Sequence, residues 1–165
     1  MLKKLTVQNF KSLDAVSFEF ENVNLFVGPN ASGKSTALQA IEILPALLRP
    51  SITEFLRVEK GWDYRDLPHK KNLSRTMKWV AEYHLRESTL AEPSVYEYEV
   101  ELQPRLHLGV GKEVLWVTPP GGDRTKLIDR TGRRTRIYDE KAGQFREDTL
   151  FNQPCSAMRD LKDSD

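Results

Sequence analysis

Gly28-Pro29-Asn30-Ala31-Ser32-Gly33-Lys34-Ser35, followed by Thr36, is the stretch that decides the fold. Two glycines with four residues between them lead into Lys and Ser, the pattern of a phosphate-binding Walker A loop. Each residue type has a physical reason to be there. Glycine lets the backbone approach a phosphate closely and turn its N–H groups inward. Pro29, Asn30, Ala31 and Ser32 supply the main chain of the cradle between the two glycines. A helix starting near Gly33 adds free N–H donors and the positive end of its dipole. The Lys34 ammonium suits the β- and γ-phosphates, the Ser35 hydroxyl suits Mg²⁺, and Thr36 adds a hydroxyl toward an inner phosphate. ATP with Mg²⁺ is the ligand this set implies, and Lys34 is the residue expected to stabilise phosphate charge.

The flanks agree with the loop. Val23-Asn24-Leu25-Phe26-Val27 is a short, mostly apolar run ending at Gly28, as expected for a buried strand. Beyond the loop, Leu38, Ile41, Leu44 and Leu48 recur at helical spacing, and Pro45 is expected to kink or end that helix.

At 165 residues the chain has the length of about one domain. Hydrophobic residues make up 39% and charged residues 30%, which fits a folded and rather polar domain. The formal net charge is +1, from 25 basic and 24 acidic residues, so no global pull toward nucleic acid exists and any such contact is local. Cys155 is the single cysteine, which excludes an internal disulfide. No signal peptide or membrane span is visible, and the sequence reads as cytoplasmic with no membrane partner.

The rest of the chain reads as strands. Leu5 and Val7 alternate with polar neighbours up to Phe10, and Val16, Phe18 and Phe20 do the same, so two strands precede the Walker strand. Residues 51–76 are polar and irregular, with a weak helical stretch from Ile52 to Val58. Met77 to Leu85 alternates, and Tyr96, Tyr98, Val100 and Leu102 give the cleanest period-two run. Val114–Val117 is a further strand, followed by the turn Pro119-Pro120-Gly121-Gly122. Lys126–Asp129 and Arg134–Tyr138 form a hairpin about Thr131-Gly132. The expectation is an α/β P-loop NTPase lobe, with a mixed core sheet around one main helix and an antiparallel β layer. Residues 1–50 hold the Walker A core and 51–165 the β-rich remainder of the same lobe.

Two strands, a Walker A loop near residue 30 and then a β-rich stretch are an unusual order. It resembles the N-terminal lobe of ABC-type ATPase heads of the structural-maintenance-of-chromosomes and RecF class, and most of all the AAA ATPases of the overcoming-lysogenization-defect kind. Leu5 to Leu13, with its Asn9-Phe10-Lys11-Ser12 turn, resembles the opening of such heads. Asn24 to Thr36 resembles their nucleotide loop, and Ser156 to Asp160 a segment that ends the lobe. The resemblance implies that Lys11 and Ser12 sit near the bound phosphates or base. It also implies a second ATPase head as partner, with dimer closure driving a nuclease or DNA-handling effector, in DNA repair or antiviral defence.

Such heads carry a Walker B strand ending in Asp-Glu, a signature loop and a switch histidine. Ile137-Tyr138-Asp139-Glu140 is the nearest sequence to the first, but Arg134 and Arg136 make it alternate like an amphipathic strand. His69, His84 and His107 are scattered without metal-ligand spacing. Gln144 and Gln153 are the candidates for the glutamine that touches Mg²⁺ in such lobes, with Gln153 preferred. The expectation is the first part of an ATPase head, cut off before Walker B, with its catalytic half outside this chain and ATP hydrolysis dependent on it.

Arg124, Lys126, Arg130, Arg133, Arg134 and Arg136 crowd one hairpin. Interleaved Asp123, Asp129, Asp139 and Glu140 make it read as a solvated face, with a DNA or RNA backbone contact as the alternative. Trp62, Trp79 and Trp116 read as core or half-buried residues. Two other functions compete with the ATPase head: a nucleic-acid-binding module built on the Arg-rich hairpin, and a small P-loop kinase. The kinase reading fits poorly, because such enzymes start with the loop and continue in βα repeats.

Overall fold

The computed structural model describes residues 1–86, 92–104, 109–139, 141–149 and 156–158. Eight strands form one sheet: β1 (Leu2–Phe10), β2 (Leu13–Glu19), β3 (Met77–Leu85), β4 (Ser94–Gln103), β5 (Gly109–Thr118), β6 (Thr125–Thr131), β7 (Arg134–Asp139) and β8 (Gln144–Thr149). Their order is β2-β1-β3-β4-β5-β6-β7-β8, and every neighbouring pair is antiparallel. One helix of 13 residues, α1 (Lys34–Ala46), follows the loop.

Alternation along each strand separates the two faces. Leu5 and Val7 of β1, Met77, Trp79 and Ala81 of β3, and Tyr98, Val100 and Leu102 of β4 are buried on one face. The opposite face is polar. There Glu99 of β4 lies 2.8 Å from Lys78 of β3 and 2.7 Å from Lys112 of β5. The apolar face shares its core with Ala40, Ile43, Leu44 and Leu47 of the helical segment. Trp79 joins the layers: its indole N–H donates to the Ala40 carbonyl of α1 at 3.0 Å, and its ring meets Phe10 edge-on at 5.3 Å. Ile52–Glu54 and the π-turn Phe55–Glu59 continue the core below α1, through Ile52, Phe55 and Leu56.

Three sequence expectations are corrected. The sheet is antiparallel throughout the described residues rather than mixed. Val23–Val27 is not a buried strand: Val23, Leu25 and Val27 are 88%, 86% and 81% exposed. β1 pairs with β2 on one side and β3 on the other, so this run has no strand beside it among the described residues. The buried side of α1 is Ala37, Ala40, Ile43 and Leu44, whereas Leu38 and Leu48 face solvent. The alanines do the burying because they let the helix lie close to the sheet. Pro45 falls in the last turn and α1 ends at Ala46. No helix among the described residues is long and apolar enough to cross a membrane.

Candidate nucleotide site

The phosphate loop hangs between the exposed 23–27 run and α1. Gly33 precedes the helix at φ 92°, in the left-handed region, and Ala31 two residues earlier has φ 64°. Alternating left- and right-handed residues turn successive N–H groups into one concavity that suits an anion. No side chain caps the N-terminus of α1. The donors of its first turn are therefore left for a ligand, at the positive end of the dipole. Lys34, the first helical residue, folds back under the loop. Its ammonium donates to the Gly28 carbonyl at 2.7 Å and the Pro29 carbonyl at 2.6 Å, with Ser32 Oγ at 3.4 Å. The cationic group is thus held inside the turn of the loop. Ser35 is exposed on the first turn of α1.

At Gly33 a side chain would be strained. A Cβ would sit 3.3 Å from Ser12 Oγ and 3.7 Å from Leu13 Cδ2, on a backbone that L side chains rarely adopt. Gly33→Ala is expected to cost about 1–3 kcal/mol. That lowers the thermal midpoint by about 2–4 °C per kcal/mol for a chain of this size. An unchanged midpoint in thermal denaturation would refute the assignment.

The β1–β2 turn braces the loop from outside. Asn9 and Lys11 both have positive φ, 58° and 48°. Asn9 is buried and donates its Nδ2 to the carbonyls of Arg75 (3.0 Å) and Thr76 (3.2 Å), anchoring the turn to the approach of β3. The Lys11 N–H donates to the Leu67 carbonyl at 2.6 Å, and the Lys11 carbonyl lies 2.8 Å from His69 Nδ1. Ser12 Oγ donates to Thr36 Oγ1 at 3.0 Å, tying the turn to α1. Lys11 Nζ donates to Gln39 Oε1 at 2.8 Å and lies 3.4 Å from the centroid of the Trp62 ring. Burial strips water from this ammonium and lowers its pKa from the ordinary lysine value, against the opposing pull of Asp66 and Glu42.

Ser12 thus sits against the 28–36 loop through Thr36, and Lys11 beside it reaches α1 at Gln39. Gln39 and Trp62 join Lys11 unannounced, since neither carries a sequence signal for this place. Gln153, Cys155, His107 and Glu140 lie outside the described residues. Asp139 caps the β7–β8 turn by accepting from the Ala142 N–H at 3.0 Å, and Gln144 is exposed at the start of β8. Among the described residues no cluster of His, Cys, Asp or Glu is arranged to hold a metal. His84 bonds Glu82 at 2.8 Å on the polar face. The Arg-rich hairpin is largely self-neutralised: Arg136 and Lys126 both reach Asp129, and Arg124 reaches Glu97. Arg130 does not belong to that surface, being 2% exposed beside Glu113 on the inner face.

A two-strand opening, a phosphate loop with its lysine tucked beneath it, and an antiparallel β layer define a P-loop ATPase lobe. The AAA ATPase domain family matches residues 1–107, and the chain belongs to that family. Among curated proteins it is similar to the DNA replication and repair protein RecF of Lactobacillus acidophilus, with 46% identity over 63 residues, 38% of this chain and 16% of that protein. It is similar to the OLD nuclease of Thermus scotoductus, with 38% identity over 55 residues, 33% of this chain and 10% of that protein. A RecF of Lactococcus lactis subsp. lactis is 29% identical over 105 residues, 55% of this chain and 29% of that protein. The chain thus matches less than a third of the length of each of these relatives.

Proposed function

We propose that this chain is the ATP·Mg-binding N-terminal part of an ATPase head that couples nucleotide binding and head dimerisation to a DNA-acting effector. The observation that carries the reading is the Lys34 ammonium, set among the Gly28 and Pro29 carbonyls at the uncapped start of α1. Gly28 to Thr36 would hold the phosphates, with Lys11 and Ser12 alongside. Ser35 would give Mg²⁺ its one hydroxyl ligand from this loop. When bound, the metal would neutralise phosphate charge.

The carboxylates that complete such a site and orient water are assigned to the catalytic half of the head, outside residues 1–165. Exposed Val23, Leu25 and Val27 support that division, because they offer an apolar strip where such a half could seat a strand. The names of the relatives, a DNA replication and repair protein and a nuclease, support an effector that acts on DNA. A small P-loop kinase fits less well, since an antiparallel meander follows α1 where βα units would stand.

Calorimetric titration with Mg·ATP tests the reading. The 165-residue chain is expected to bind, and Lys34→Ala to weaken binding at least tenfold, with negligible turnover in both. Equal affinities in the two proteins would sink the loop assignment.

A further inference from the structure

We infer that Trp62 is the platform on which the base of the nucleotide stacks, and that Lys11 covers this platform until phosphate draws it away. The inference rests on the nucleotide reading above and extends it to a residue outside the loop.

Lys11 is held in an unequal way. Its backbone is fixed on both sides, to Leu67 and His69. Its ammonium has a neutral amide and an aromatic face as partners and forms no salt bridge among the described residues. The two carboxylates that act on it from a distance are each engaged elsewhere, Asp66 with Lys71 at 2.8 Å and Glu42 with Lys60 at 2.9 Å. A half-buried cation with soft partners gains from an anion within reach, because charge-assisted bonds are about twice as strong as neutral ones. The neighbouring residue, Ser12, touches Thr36 on the first turn of α1. Gln39, which now holds the ammonium, is three residues further along, about 4.5 Å up the helix axis. A swing of one side chain therefore carries Nζ from Gln39 toward the phosphate cradle.

That swing changes Trp62. The ring is half-buried, its backbone N–H donates to the Leu56 carbonyl at 2.8 Å, and Lys11 covers one face at 3.4 Å, whereas Lys60, paired with Glu42, stands off at 5.9 Å from the centroid. The face that Lys11 covers is freed when its ammonium leaves, while the rest of the ring stays packed against the core. The ring then stands beside α1, beyond Gln39 from the loop, where a flat π-system joined to bound phosphates can lie on it.

The test compares Mg·ATP with inorganic tripolyphosphate, which has the phosphates without the base, in titrations of the 165-residue chain and its Trp62→Ala, Trp62→Phe and Lys11→Met variants. Stacking on an aromatic ring predicts that ATP binds about five- to a hundredfold tighter than tripolyphosphate. Trp62→Ala should bring ATP down to the tripolyphosphate level and leave tripolyphosphate unchanged, and Trp62→Phe should keep most of the difference. Lys11→Met should weaken both ligands together. The part of the emission spectrum lost in Trp62→Phe should respond to tripolyphosphate in the parent chain, and not in Lys11→Met. ATP binding that is strong but unaffected by Trp62→Ala overturns the platform and leaves the loop reading intact. Parallel loss of both ligands in Trp62→Ala overturns it too, by making Trp62 a scaffold residue. Binding of neither ligand by the parent chain overturns the loop reading and the inference with it.

Discussion

Glu113→Ala is expected to remove about 3–5 kcal/mol of folding stability, the cost typical of breaking a buried ion pair from one side. Glu113 lies on the inner face of β5, fully buried, directly opposite Arg130 of β6. Its Oε2 is 3.6 Å from Arg130 Nη1 and accepts the Ala157 N–H at 2.8 Å. Its Oε1 accepts from the Tyr98 hydroxyl at 2.9 Å and from Ser156 Oγ. Burial first, and then the Glu113 charge, push the Tyr98 phenol well above its usual pKa, so it stays a donor at any working pH. One carboxylate thus gathers a guanidinium, two hydroxyls and a backbone N–H, all buried, and its loss leaves buried donors without their acceptor. The same contacts clamp residues 156–158 against the sheet, while the Ser156 N–H donates to the Leu47 carbonyl just beyond α1 at 2.8 Å. The urea midpoint should fall with an unchanged slope, and the Ala157 amide should exchange faster with solvent. Glu113→Leu combined with Arg130→Met should recover part of the loss, because an apolar pair removes the buried charge on both sides. A Glu113→Ala midpoint within about 0.5 kcal/mol of the parent, the range of an ordinary surface change, would show that the cluster carries no net stability.

That cluster was not legible in the sequence. Glu113 and Arg130 look like surface residues in polar strands, and only the β5–β6 register places them face to face. Local alternation reports which side chains prefer burial, and it served well where one face is apolar, as in Tyr96 to Leu102 and in the hairpin about Gly132. The apolar run Val23–Val27 misled as a buried strand, because a strand needs a neighbour as well as an apolar sequence. The helical spacing also misplaced the buried side of α1, where Ala37 and Ala40 are buried and the larger Leu38 is exposed. β8 gave no signal, since Gln144 to Glu147 form an exposed edge with no apolar face to record. The loop itself was readable because its chemistry is local: two glycines, a lysine and two hydroxyls act within nine residues. Trp62 and Gln39 lie beside Lys11 only through tertiary packing, so no spacing could announce them.

Trp79→Ala should have a comparable effect, about 3–5 kcal/mol for the loss of a fully buried large aromatic side chain. Trp79 stands between fold and site. Its ring packs on Phe10, the residue before Lys11, and its N–H holds the Ala40 carbonyl in the middle of α1. The cavity would lie under both braces of the phosphate loop, the β1–β2 turn and the helix. Trp79→Phe keeps most of the volume and loses the hydrogen bond, so it should cost less, about 1 kcal/mol for the bond and a smaller cavity term. Domains of this kind are stable by about 5–15 kcal/mol in all, and Trp79→Ala should therefore unfold at markedly lower urea. Ligand linkage then separates packing from binding. A ligand that binds only the folded state adds RT ln(1 + [L]/Kd) to its stability, about 2.7 kcal/mol at a hundredfold excess over Kd. Mg·ATP at that excess should move the Trp79→Ala midpoint back by nearly that amount, and should not move the midpoint of Trp79→Ala combined with Lys34→Ala. A rescue that persists without Lys34 would mean that ATP stabilises the fold from somewhere other than the loop. A Trp79→Ala midpoint close to that of the parent would mean that the sheet holds α1 and the β1–β2 turn without the tryptophan.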